Sequence, residues 1–72
     1  MDNTIFHMPN QSLFFDLLNN SRVEQVPVNI FLTNHLISGI VADLNDHTVE
    51  LRIDGGKRCV VALDKIEAIS IA

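Results

Sequence analysis

"NHLISGIVADLNDHTVEL", residues 34–51, sets one glycine between two runs of alternating apolar residues. A glycine inside a strand weakens it through backbone entropy and lost packing. It therefore marks a bulge, a sharp bend or a close backbone approach. The stretch "HLISGIVADL", residues 35–44, predicts one long strand with Gly39 inside it. "NDH", residues 45–47, predicts a turn. "TVELRI", residues 48–53, predicts a further strand with Val49, Leu51 and Ile53 inward and Thr48, Glu50 and Arg52 outward.

The pattern continues on both sides. Upstream, Val26, Val28, Ile30 and Leu32 alternate with Asn29, Phe31 and Thr33, and Pro27 belongs at the strand start or on an edge. Before that, Leu13, Phe14, Leu17 and Leu18 share one helical stripe, with Asn10 or Ser12 as cap and Asn19, Asn20 and Ser21 as its end. Residues 21–25 read as a linker. Downstream, "DGG" at 54–56 is a hairpin signal. "KRCVVAL" at 57–63 is a fourth strand, and "IEAISIA" at 66–72 a fifth. Residues 1–9 carry no period and read as a flexible N-terminal arm, leaving residues 10–72 as the folded domain. The fold class is mainly β: a short N-terminal helix, then a five-stranded, strongly bent antiparallel sheet. Strands joined this tightly are expected to be consecutive neighbours. A sheet this small must curl into an open barrel to enclose a core, with Gly39 where a strand bends to serve both halves.

Composition narrows the function. A chain of 72 residues, 47% of them hydrophobic, can build one core. A domain of this size buries only roughly 60% of its unfolded surface, so association with further copies is a natural remedy. Cys59 is the only cysteine, which excludes an internal disulfide and suggests a reducing, cytoplasmic setting. No apolar run approaches the ~20 residues that span a bilayer, and Asp2 without a basic start does not read as a signal peptide. His7, His35 and His47 lack metal-ligand spacing, so no metal and no cofactor are expected. "DGGK" precedes no helix and is not a phosphate loop, and nothing resembles a nucleophile elbow. An enzyme is not expected. The formal net charge of −4 leans away from bulk phosphate binding.

These residues resemble the Sm-like (LSm) superfamily, and within it the Hfq family of bacterial RNA chaperones. "QSL" at 11–13 is similar to that family's helix start, and "VPVNIFLTN" at 26–34 to its first strand. Gly39, Val41, Leu44-Asn45 and Leu51 follow the superfamily's first motif, and "IEAIS" at 66–70 resembles its last strand. The resemblance implies a homo-oligomeric ring of six or seven subunits, closed by pairing the fifth strand of one subunit with the fourth of the next. It also implies single-stranded RNA as partner.

The positions that hold uridine-rich RNA in the family align with Phe14, Asp46-His47 and Leu63-Asp64 here. The family's Lys-His pair is therefore absent, and Asp64 stands where a pore-lining basic residue would be. The arginine-rich rim is reduced to Arg22. On the opposite face, which takes adenine-rich RNA in the family, the aromatic of the first strand is Phe31, with Asn34 in the loop that follows. The candidate RNA-binding residues are Phe31, Asn34, Asn45, His47 and Arg22. Each has a plain alternative: Phe31 packs under the helix or a neighbour, Asn45 serves its own turn, and His47 is a solvated turn residue. Two functions follow. One is a ring binding single-stranded RNA weakly or with altered base preference. The other is a ring-forming scaffold that has lost RNA and recognises protein.

Overall fold

A computed structural model of the chain describes residues 5–7 and 11–71. Strand β1 spans Ile5–His7, helix α1 Gln11–Glu24, β2 Val28–Phe31, β3 Leu36–Leu44 and β4 Thr48–Arg52. Strands β5, Arg58–Ala62, and β6, Ala68–Ile71, follow. One helix followed by five antiparallel strands is the architecture expected. Residues 5–7 lie within the segment read as a flexible arm, yet they form a strand. Residues 1–4 and 8–10, including the expected cap Asn10, lie outside the described residues.

The helix outruns its expected end at Ser21 and absorbs the supposed linker, reaching Glu24. Nothing in residues 21–24 breaks a helix. The stop comes at Gln25, whose φ of 58° is left-handed. The Val26 amide donates back to the Ser21 carbonyl at 3.3 Å, the longer bond of a Schellman closure. Glycine is the usual residue there. Gln25 compensates with its side chain, whose Nε2 donates to the Arg22 carbonyl at 2.7 Å. Its Oε1 accepts from Arg52 Nη2 at 3.0 Å. Phe14, Leu18 and Ser21 form the buried stripe of α1, with Leu17 packed beside them.

The strands form one sheet in the order β1-β6-β2-β3-β4-β5. The expectation that the fourth and fifth predicted strands pair is corrected here: β6 leaves β5 and inserts between β1 and β2. A tight 3-10 turn over Leu63–Lys65 redirects the chain, with the Ile66 amide donating to the Leu63 carbonyl at 3.2 Å. The Glu67 amide then donates to the Phe31 carbonyl at 2.8 Å and seats the strand against β2.

Strand β3 belongs to both halves of the sheet. Its first half pairs with β2, ending at Val28↔Gly39. Its second half pairs with β4, beginning at Ile40↔Arg52. Gly39 is thus the last residue on one ladder, and the next residue begins the other. A β-carbon at Gly39 would lie 2.6 Å from the Arg52 carbonyl oxygen and 3.0 Å from Ile53 Cγ2. The glycine is required by close backbone approach. The bulge in β3 falls further on, between Val41 and Asp43. The core fills the concave side with Leu18, Ile30, Val41, Leu51, Ile66 and Ile69, each 1% exposed or less.

One buried polar residue joins the helix to this bend. Ser21 Oγ donates to the Val26 carbonyl at 2.6 Å and accepts from the Val41 amide at 3.2 Å, and the residue is fully buried. Sequence reading took Ser21 as a helix end. It is instead a hydrogen-bonded brace between α1 and β3.

Two substitutions test this geometry by urea unfolding. Gly39→Ala forces a methyl onto backbone and is expected to cost about 1–3 kcal/mol, the usual range for overpacking. Ser21→Ala strands a buried amide and a carbonyl, and is expected to cost about 1–3 kcal/mol. Wild-type stability in either variant would show that the approach or the brace does not constrain the fold.

Candidate functional site

A cavity of about 700 Å³ opens where the start of α1, the β3–β4 turn and the end of β5 meet. It is lined by Phe14, Phe15, Asp46, His47, Thr48, Ala62, Leu63 and Asp64. Each segment arrives for a separate local reason. Phe14 is anchored by the helix stripe and is 3% exposed, whereas Phe15, the next residue round the helix, is 37% exposed.

The turn at 45–47 is held by Asn45. Its Oδ1 accepts from the His47 amide at 2.7 Å and the Thr48 amide at 2.9 Å. Its Nδ2 donates to Thr48 Oγ1 at 3.0 Å, and its own amide donates to the Thr48 carbonyl at 3.0 Å. This is an Asx-type turn, in which the side chain substitutes for backbone. It leaves His47 exposed at the tip. The Leu63 amide donates to the His47 carbonyl at 2.8 Å, so this turn and the Leu63–Lys65 turn form one rigid rim.

The lining combines phenyl rings and an imidazole with two carboxylates, and includes no lysine or arginine. Flat apolar surface of this kind takes planar groups by stacking. Carboxylate oxygens accept from amino and imino donors and repel phosphate. Among the described residues, no group of three or more His, Cys, Asp or Glu is placed to hold a metal ion.

The candidate residues divide into separate places. His47 and Asp64 share the cavity with Phe14, Asp46 and Leu63, the positions aligned by resemblance with the family's uridine site. Asn45 stands behind the rim with its side chain committed to the turn. Phe31 lies elsewhere, half-buried on β2 with Leu36 and Ala68 as strand partners. Asn34 is exposed in the hairpin that follows, which is closed by the Leu32 amide donating to the His35 carbonyl at 2.8 Å. Arg22 is exposed near the end of α1, its Nη2 donating to Asn19 Oδ1 at 2.9 Å, and does not line the cavity. Sequence reading missed Phe15, Thr48 and Ala62. For Phe15 a signal existed: a large aromatic beside the buried stripe but off it.

The chain matches no family model and no curated protein. Among the described residues, no helix is long and apolar enough to cross a membrane.

If Asn45 builds the rim, Asn45→Ala is expected to destabilise the protein by about 1 kcal/mol. It should also accelerate amide exchange at His47 and Thr48, while Asn45→Asp, which keeps the acceptor, should restore protection. Unchanged exchange in the alanine variant would show that the backbone alone holds the turn.

Proposed function

We propose that this chain is a divergent member of the Sm-like superfamily. In this reading it works in the cytoplasm as a homo-oligomeric ring of six or seven subunits. It binds single-stranded RNA weakly, through bases rather than phosphates, and has no catalytic role. One observation carries the reading. Phe14, Asp46-His47 and Leu63-Asp64 come from three distant segments, align by resemblance with the family's base-binding positions, and converge on one cavity. The strand order around a bent β3 supports the same class.

The chemistry of the lining sets the preference. His47 and Phe15 offer aromatic surface for stacking, and Asp46 and Asp64 offer acceptors. Adenine and cytosine carry exocyclic amino groups that donate to such acceptors. Uracil presents a carbonyl oxygen in place of the amino group, and its one base-edge donor is the ring imino N–H. Ring symmetry would also repeat Asp64 around one axis, and converging carboxylates repel a phosphate backbone. Selection of amino-bearing bases, with little contribution from the backbone, is therefore expected.

The acidic lining and the net charge of −4 also favour a second reading, a ring-forming module that takes a basic segment of another protein. Fluorescence anisotropy with short oligo-A, oligo-C and oligo-U at two salt concentrations separates the two. The RNA reading expects oligo-A or oligo-C to bind more tightly than oligo-U. Its salt dependence should be much shallower than that of a binder neutralising several phosphates, each worth about −0.7 in log–log slope. His47→Ala should weaken binding by about 1–3 kcal/mol, the worth of one stacked base. Asp64→Asn should strengthen oligo-U. Tight, steeply salt-dependent oligo-U binding by the unmodified protein would overturn the base preference. Failure of all three oligonucleotides would leave the protein-recognition reading.

A further inference from the structure

The sheet has two ends, and they are not equivalent. At one end β5 pairs only with β4 among the described residues; there Arg58 is exposed and Val60 is 64% exposed. At the other end the outer side of β6 is occupied. Strand β1 lies antiparallel against it, with Ile5↔Ser70, Phe6↔Ile69 and His7↔Ala68 as partners. The inner side of β6 is held by β2 along its whole length, Phe31↔Ala68 to Val28↔Ile71. A strand has two hydrogen-bonding edges, so β6 is saturated. In the ring reading, closure by strand addition would use this same outer edge, against β5 of the next subunit.

We infer that the outer edge of β6 is a strand-accepting surface for which two segments compete: residues 5–7 of the same chain, and β5 of a second copy. This rests on the ring reading above. Assembly is then an exchange rather than an addition, because β1 must leave before the neighbour docks.

The two competitors differ in a way that makes the exchange depend on concentration. Strand β1 offers three described residues, opposite Ser70, Ile69 and Ala68. Strand β5 has five residues, can cover all four of β6, and would bury Val60 in doing so. Residue for residue, the second copy is the better partner. But β1 is tethered, and a short tether presents a segment at an effective concentration on the order of millimolar. The self-capped subunit therefore prevails when dilute, and the ring above a threshold. The cap also keeps an otherwise open strand edge from indiscriminate pairing below that threshold.

The test is native mass spectrometry and light scattering over a concentration series, applied to the full chain and to two variants. In Ile5→Pro/Phe6→Pro, at least one lost amide donor would have faced β6, because successive residues of a strand alternate in direction. In the second variant residues 2–7 are deleted, so the result does not depend on tolerating proline. Circular dichroism confirms folding of each. The inference expects the assembly midpoint to fall at least tenfold in both variants. It also expects the β6 amides that face β1 to be protected in the dilute full chain and to lose that protection in the variants, while those facing β2 keep it. Rings with the same midpoint in all three proteins would overturn the competition while leaving the ring reading intact. Monomers in all three at every concentration would overturn both.

Discussion

The fold depends on a contact between two backbones. The Gly39 α-carbon lies against the Arg52 carbonyl, with room for nothing larger than hydrogen. That approach lets β3 leave the β2 ladder and join the β4 ladder within one residue. A longer side chain would hold the two halves of the sheet apart. The concave side that receives Leu18, Val41 and Leu51 would then open to water, and burial of that apolar surface is the main favourable term for so small a domain. The cavity near His47 inherits the same bend, because it is the curl of the sheet that carries the end of β5 round to the start of α1.

The helix is tied to this bend, not merely laid over it. Ser21 reaches from the last full turn of α1 to the amide of Val41, just where β3 becomes irregular. A bulged strand leaves backbone groups out of register, and a buried amide without a partner is costly. The serine hydroxyl supplies that partner and at the same time accounts for the Val26 carbonyl beyond the helix end. Curvature, helix placement and entry into β2 are thus coupled through a single oxygen atom. Asn45 does similar work just past the C-terminal end of β3, holding two amides of a turn on one side-chain oxygen. Both devices let a small domain hold sharp changes of direction through a single side-chain oxygen each.

Much of this was legible in the amino-acid order, and the remainder was not for identifiable reasons. Period-two alternation located β2 and β4 because each has one face on the core, as Val28 and Ile30 or Val49 and Leu51 illustrate, whereas β6 buries Ala68, Ile69 and Ser70 in succession. The role of Gly39 could be read because a glycine inside an otherwise strand-forming run has few explanations. The helix end could not, because Gln25 adopts a left-handed conformation that sequence reserves for glycine or asparagine. The pairing of β6 with β2 was hidden because chain neighbours usually pair, whereas here the Leu63–Lys65 turn swings the strand across the barrel. At the site, alignment brought His47 and Asp64 to the cavity, but the separation of Phe31, Asn34 and Arg22 from it is a property of three dimensions only. Strand β1 carries no periodicity in three residues, so only its docking on β6 reveals it.

The position of β6 also governs the order in which the protein can be made. It is the last of these seven elements in chain order, yet it lies inside the sheet, between β1 and β2. Every contact on its two edges joins residues far apart in the chain. Until it arrives, β2 has one side open, β1 has no partner, and Ile66 and Ile69 are missing from the core. Docking of β6 therefore completes both the sheet and the core. Closure waits for the final strand, and loop entropy makes such long-range closure slow compared with local hairpins. A chain lacking residues 68–71 lacks an interior strand, not a dispensable tail.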